Sequence, residues 1–548
     1  MTSKELLFVP LGGAGEIGMN MSLYGYDGRW LMVDMGIGFG DDTTPGIDVM
    51  TPDPGFILDN LDRLDGLIIT HAHEDHLGAV PYLWRKIRCP IYATPFACGH
   101  LRRKLDYSGM LNEVDLVELP VGGGFKAGPF SVDLVPAAHS VPEANILAIR
   151  TGAGLAVHAT DWKLDPEPLI GKTTDEDALR KLGDKGVMAL VCDSTNVFVE
   201  GDAGSEGALR ESLVEIIGKC TGRVALATFA SNVARVSTIN HAAAATGRNP
   251  ALVGRSLWRS VDISRECGYL ENIEPFVPES EIRFIPPDKV LMGVTGSQGE
   301  PRSALSRIAD GSHQSVSLEP GDTVIFSSRE IPGNELSIGK VQNKLARIGV
   351  KVLTEHDGFV HVSGHPGRRE LMQMYQWLRP QMLVPVHGEL RHLQEHERFA
   401  RECQIPQTAI AENGTMLRLS KGGVEPIDYV ETGRLAVDGN RLVRIGGTVL
   451  RERNRLRVNG AAVATVVVDE AGKVLGDPQL TVQGVLDDRE DESWDYAIDA
   501  IINAVNDLSK KKRRDDEEIA EAARIAVRRS LRESIGKRPV TDIHVVRV

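Results

Sequence analysis

The stretch Thr70-His71-Ala72-His73-Glu74-Asp75-His76 constrains this chain more than any other. It sets three imidazoles and a carboxylate within six positions, directly after the β-rich run GLIIT. A tetrahedral metal takes four ligands, and a catalytic one leaves a position open, so this loop with any later ligand offers more donors than one ion can use. Two metals are implied. Packing the same cluster into an apolar core would demand several buried polar partners.

At 548 residues the chain exceeds what one hydrophobic core supports, so two to four domains are expected. Hydrophobic residues at 42 % and charged residues at 25 % match ordinary globular usage. The net charge of −14 argues against a general positive coat, so any nucleic-acid path must be local. The start, MTSKELLFVPLGG, has no long apolar segment behind a basic one, and the longest apolar run, Ala461 to Val468, is too short to span a bilayer. A cytoplasmic protein with no membrane partner is expected. Cys89, Cys98, Cys192, Cys220, Cys267 and Cys403 form no C-x-x-C pair, which predicts free thiols in a reducing compartment.

The first 200 residues alternate short apolar runs with turns, among them WLMVDMG, FSVDLVP, NILAIRT, GLAVHAT and VMALVCD, a pattern that predicts a buried sheet. From about Ser205 the texture changes to strand-helix alternation, as in a parallel α/β unit, and near Val350 it returns to strand-loop-helix units. An inserted domain is the natural reading. Arg441, Arg444, Arg451, Arg453, Arg455 and Arg457 then form a basic run, read either as a solvated linker or as an RNA or subunit contact. The expected boundaries are 1–204 and 351–440 for a split first domain, 205–350 for the insertion, 441–455 for the linker and 456–548 for a small α+β domain.

The H-x-H-x-D-H spacing resembles the signature of the metallo-β-lactamase superfamily, whose αββα sandwich also carries a later histidine and a bridging aspartate at strand ends. His139 follows VDLVPAA and Asp161 follows GLAVHAT in those places. His158 competes with Asp161 but sits inside the apolar strand and is read as structural. The resemblance implies that His71, His73 and His139 bind one divalent ion, Asp75, His76 and His387 another, with Asp161 between them. Zinc or manganese would suit these donors. Such a pair activates a bridging water and neutralises a phosphodiester.

The inserted segment resembles the β-CASP branch, which processes nucleic acids. VCDSTN at Val191 to Asn196, SGH at Ser363 to His365 and PVHGE at Pro385 to Glu389 match its markers. Within the branch the chain resembles the ribonuclease J family over almost its full length, through GGAGEIGMNM, ATFASNVARV, GSQGEP, SSREIPGNE, HVSGHPGRREL and PVHGELRHL. This implies a 5′-to-3′ exonuclease favouring 5′-monophosphate RNA, with endonuclease activity as well, in RNA maturation and decay. It also implies a homodimer or homotetramer and contacts with RNA-decay proteins. His361, Ser363, Gly364 and His365 share one turn suited to a phosphate. His365, oriented by Asp193, would protonate the leaving oxygen or stabilise developing charge; these two and Asp75 are the candidate catalytic residues. Ser231, Asn232 and Arg235 open a helix and offer donors to substrate, or else merely cap it. Thr160 stands where the family usually has glycine, which puts the local turn in doubt.

Three other readings share part of this pattern. A binuclear ester or thioester hydrolase would not need about 150 inserted residues, a binding or assembly subunit would not need every ligand position filled, and a β-CASP DNA nuclease differs only in recognition of the 2′-hydroxyl.

Overall fold

The computed structural model describes residues 5–41, 43–331, 333–487 and 491–548; the first four residues of MTSKELLFVPLGG and Pro332 of SSREIPGNE lie outside them. Two sheets face each other in the first unit. One has eight strands in the order Gly423–Tyr429, Thr415–Ser420, Leu6–Gly12, Met21–Tyr26, Arg29–Val33, Leu64–Ile68, Ile91–Ala93 and Leu116–Glu118. The other has seven: Gly124–Ala127, Phe130–Ala137, Ala144–Thr151, Gly154–Ala159, Ala189–Asp193, Met382–Val386 and Gln407–Thr408. The apolar runs become strands because both faces are covered. Leu6, Phe8, Leu31 and Ile68 meet Leu134, Leu147, Val191 and Val384 between the sheets. Behind the seven-stranded sheet, Val157, Leu190 and Leu383 pack on Leu179, Leu371, Trp377 and Phe399 from three helices. Each fully buried aliphatic side chain contributes about 1.5–3 kcal/mol, so the sandwich is held mainly by these layers.

The insertion is visible in the strand register. Ala189–Asp193 and Met382–Val386 are parallel neighbours, with Ala189 opposite Met382 and Asp193 opposite Val386, although nearly two hundred residues separate them. Between them lies an all-parallel sheet ordered Asn249–Val253, Val290–Val294, Val224–Ala227, Thr323–Phe326 and Lys351–Leu353. ATFASN, GSQGEP and SSRE leave the carboxyl ends of its three central strands, beside the point where strand order reverses, which is where open α/β sheets present ligand groups. The architecture is a metallo-β-lactamase sandwich with an inserted β-CASP domain and a C-terminal α+β domain.

A second compact unit comprises Phe39–Met50 and Arg434–Val548. Its basic run is not a linker. Arg441–Arg444 pairs antiparallel with Arg434–Asp438, and Thr448–Asn459 is a helix with Leu450 buried. Leu442 and Val443 give the run a strand's apolar content, Gly446 and Gly447 break it, and the Arg and Leu residues beyond are good helix formers. Asp438 accepts from both Arg441 and Arg453, so part of the charge is spent internally. The expected boundary at 456 therefore falls inside a helix. Beyond it, Gln479–Gln483, Ala461–Val468 and Val540–Arg547 form a three-stranded sheet backed by helices Glu492–Asn506 and Asp516–Ile535. Among the described residues no helix is long and apolar enough to cross a membrane.

Candidate metal centre

Five strands of the sandwich end at one rim, and each hands a polar side chain to the same place. The loop after Leu64–Ile68 brings His71, His73, Asp75 and His76; Phe130–Ala137 leads to His139, Gly154–Ala159 to Asp161, and Met382–Val386 to His387, while Ala189–Asp193 ends on Asp193 itself. The donors form two groups. His73 Nδ1 lies 3.1 Å from His71 Nε2 and 3.0 Å from His139 Nε2, and Asp161 Oδ2 lies 3.5 and 3.4 Å from those two nitrogens. In the second group Asp75 Oδ2 is 3.6 Å from His76 Nε2 and 3.4 Å from His387 Nε2, and Asp161 Oδ1 is 3.3 and 3.4 Å from the same pair.

These separations fit a divalent ion in each group. Ligands about 2.0–2.2 Å from a tetrahedral ion lie about 3.3–3.6 Å from one another. Among the described residues, buried Asp161 Oδ1 and His387 Nε2 have no hydrogen-bond partner, and clustered imidazole nitrogens cannot all be satisfied by shared protons. Asp161 offers one oxygen to each group, the arrangement of a bridging ligand.

The outward atoms are held just as firmly. His71 Nδ1 meets Thr70 Oγ1 at 3.0 Å, His76 Nδ1 meets Asp34 Oδ2 at 2.7 Å, His139 Nδ1 donates to the Gly364 carbonyl at 2.6 Å, and His387 Nδ1 meets Thr195 Oγ1 at 3.0 Å. Such partners fix the tautomer and turn the free nitrogen inward. Burial pushes His71 and His139 well below the ordinary imidazole value and His73 down to about 4, which leaves them neutral and able to ligate. Burial would lower His387 too, but the Asp161 carboxylate and then the nearby Asp75 carboxylate take it up to about 9.

The chain is matched along most of its length by four family descriptions. They are "Beta-lactamase superfamily domain" over 29–179, "Ribonuclease J, beta-CASP domain" over 221–345, "Zn-dependent metallo-hydrolase RNA specificity domain" over 349–406 and "Ribonuclease J C-terminal domain" over 448–548. It is 44 % identical to "Ribonuclease J" of Sinorhizobium meliloti, covering 100 % of this chain and 98 % of that one. The chain belongs to the ribonuclease J family. "Ribonuclease J 1" of Streptococcus pyogenes is 36 % identical, with 98 % of this chain and 97 % of the relative covered. A crystal structure of a protein of unknown function from Enterococcus faecalis V583 shares the fold at a TM-score of 0.54 and 18 % identity, covering 76 % of this chain and 100 % of that one.

The ribonuclease J markers beyond the metal loop divide into two kinds. His365 Nδ1 lies 2.7 Å from Asp193 Oδ2 and 3.9 Å from Asp161 Oδ2. Burial alone would lower His365, but the two carboxylates more than offset it and hold its pKa above the ordinary value. Ser363 Oγ accepts from Asn196 Nδ2 at 2.8 Å and from the His365 amide at 3.2 Å, so its own proton remains available. Among the described residues, buried His361 Nδ1 has no partner, and burial followed by the charge of Arg235 pushes the His361 pKa down to about 3. Gly364 packs against His139; a Cβ there would stand 2.6 Å from His139 Cε1.

At the helix opened by Ser231, Asn232 and Arg235, the capping alternative holds for Asn232 and neither alternative describes the Arg235 side chain. Asn232 caps it, accepting from the Arg235 amide at 2.9 Å. The Arg235 guanidinium is fully buried, paired with Glu206 and bonded to Ser327, and is turned inward because a desolvated cation needs a carboxylate beside it. Ser231 is half-buried in the preceding turn. His158 is interior, bonded to the Tyr24 hydroxyl at 3.0 Å. Thr160 keeps ordinary negative φ, so no glycine is needed there. Asp34 escaped the sequence reading, although an aspartate closing the apolar run WLMVD had the same form as Asp161 after its strand, and Thr195 and Asn196 were read only as part of the VCDSTN marker, without a role.

Proposed function

We propose that this metal-dependent ribonuclease degrades RNA in the 5′-to-3′ direction, releasing one nucleotide per step, prefers a 5′-monophosphate, and also cuts internally. The observation that carries this reading is the His365–Asp193 dyad, set 3.9 Å from the Asp161 carboxylate on the same turn as the Ser363 hydroxyl and the His361 imidazole. Two divalent ions bound by His71, His73, His139, Asp161, Asp75, His76 and His387 would activate the attacking water and neutralise the phosphodiester. Zinc is the proposed occupant, with manganese as the alternative. Asp193 holds His365 by Nδ1, leaving Nε2 to protonate the leaving oxygen. Ser363 and His361 would receive the terminal phosphate, and Ser231 would line its approach.

The reading extends to assembly: a homodimer or homotetramer in the cytoplasm, joined through the C-terminal sheet and working beside other RNA-decay proteins. For the activity, the test is degradation of one RNA sequence carrying a 5′-monophosphate, triphosphate or hydroxyl, with the matched DNA alongside. The monophosphorylated RNA should be degraded about 10-fold faster than the other RNA ends, the scale of one charge-assisted hydrogen bond or two. Equal rates on all three ends would remove the phosphate pocket, and equal rates on DNA would turn the assignment toward a DNA nuclease.

A further inference from the structure

The chain crosses between the lactamase and inserted domains twice, near 200–206 and near 359–368, and the two crossings lie side by side, with the Ser363 amide bonded to the Ala203 carbonyl at 3.2 Å. Glu370 accepts from the amides of Leu164 at 2.6 Å, Ala203 at 2.7 Å and Gly367 at 2.7 Å, tying both crossings to the segment just after Asp161. Lys163, fully buried, reaches Asp165 at 2.8 Å and the Gly204 carbonyl at 3.2 Å. Asp165 in turn accepts from the Glu206 amide at 2.9 Å.

From Glu206 the polar chain continues into the inserted domain. Both Glu206 oxygens accept from Arg235 Nη2 at 3.1 Å, and Arg235 Nη1 bonds Ser327 Oγ. Ser327 Oγ donates to the Val360 carbonyl at 2.5 Å, and Val360 opens the turn that carries His361, Ser363, Gly364 and His365. A buried ion pair adds little to stability, because desolvation consumes most of its attraction. Its worth must be sought elsewhere.

We propose that Glu206, Arg235 and Ser327 are positioning residues: they fix the backbone at Val360 relative to the Asp161 segment, and so set where His365 stands against the reacting phosphate. The turn at the far end of this chain matters for chemistry, since Gly364 orients His139 and His365 meets Asp193. Misplacing a reacting group by about 1 Å costs on the order of 100-fold in rate. The inference rests on the role given to His365 above.

Four variants test it: Ser327→Ala, which leaves no charge unpaired; Arg235→Lys; the double variant Glu206→Leu with Arg235→Met, in which an apolar pair replaces the ions; and His365→Ala. Each is measured for melting temperature, bound metal per chain, kcat and KM on 5′-monophosphate and 5′-hydroxyl RNA. The expected result is a kcat lowered about 10–100-fold in the double variant and about 5-fold in Ser327→Ala. Metal content at saturating metal should be unchanged, and KM should change less than kcat on both RNA ends, with Arg235→Lys intermediate. If the double variant does not fold, Ser327→Ala decides alone. A KM increase confined to 5′-monophosphate RNA, with kcat at the wild-type value, would overturn the proposal by making Arg235 a substrate contact. Wild-type kcat in Ser327→Ala and the double variant, with His365→Ala inactive, would overturn the positioning role alone. Wild-type kcat in His365→Ala would instead remove the catalytic reading on which it rests.

Discussion

The lactamase rim and the C-terminal sheet are built from the same materials, short apolar strands backed by helices, yet they spend their strand ends differently. At the rim, successive strands deliver histidines and aspartates to one buried spot, leaving Asp161 Oδ1 and His387 Nε2 without partners. In the C-terminal sheet the inward positions Ala462, Ala464, Val466 and Val468 are apolar and satisfied by Ile501, Val505, Ala523 and Val527, and what remains unspent is a half-exposed outer row around Val463, Val467 and Val546. A concentration of unsatisfied polar atoms is the mark of chemistry, because such atoms are costly unless a ligand completes them. A partly apolar outer face has no such cost and asks only for a surface to cover it.

The sharpest way to break this contrast is to empty the rim. Replacing Asp75 and His76 by alanine removes two of the four donors of the second group, so cleavage should fall by about 1000-fold or more and bound metal to one ion per chain, while the fold survives. RNA cleavage rate and metal analysis of the same preparation check it; near-normal rates would sink the two-ion reading. A milder cut goes through the support of the first group. Gly364→Ala places a methyl 2.6 Å from His139 Cε1, and either the ring or the turn must move. Disturbing a ligand's outer partner typically weakens metal affinity about 10–100-fold, so competition with a chelator should strip this variant first. Unchanged metal retention would mean the turn gives way without disturbing His139.

Much of the rim was legible in the sequence because its ligands sit in short, fixed patterns at strand ends. The H-x-H-x-D-H loop stood out by its spacing, while His139, Asp161 and His387 came from the resemblance to the superfamily and its branch, each in a loop at a strand end. The insertion was legible too, from the change to strand-helix alternation. Direction of side chains was not. Arg235 looked like a donor at a helix start, but its partner Glu206 lies 29 residues earlier and no local spacing connects them. At Gly364 the amide in a turn suggested a phosphate contact, and what no local pattern showed is that its carbonyl accepts from a histidine 225 positions away. The Arg-rich run looked like a linker because charge was counted and the intervening Leu442, Val443 and Leu450 were not weighed.

The smallest effect on chemistry is expected at the other end of the comparison. Val546 and Val467 are register neighbours on the outer face of the C-terminal sheet, and Val546 is 43 % exposed. If that face joins copies of the chain, Val546→Lys sets a solvated charge against a like charge in a two-fold contact, which such contacts do not tolerate. The monomer should lose little stability, since an exposed substitution away from special features costs within about 0.5 kcal/mol. Light scattering at micromolar concentration should therefore find a smaller species, while the rate on a short RNA stays within about twofold, the rate equivalent of that small energy. A cut near Arg453 would be a poorer test, because it ends inside the helix Thr448–Asn459 and would damage the fold it means to probe. If the unaltered chain already scatters as a monomer, the sheet is not a self-association surface, and its outer row must be covered by RNA or another protein.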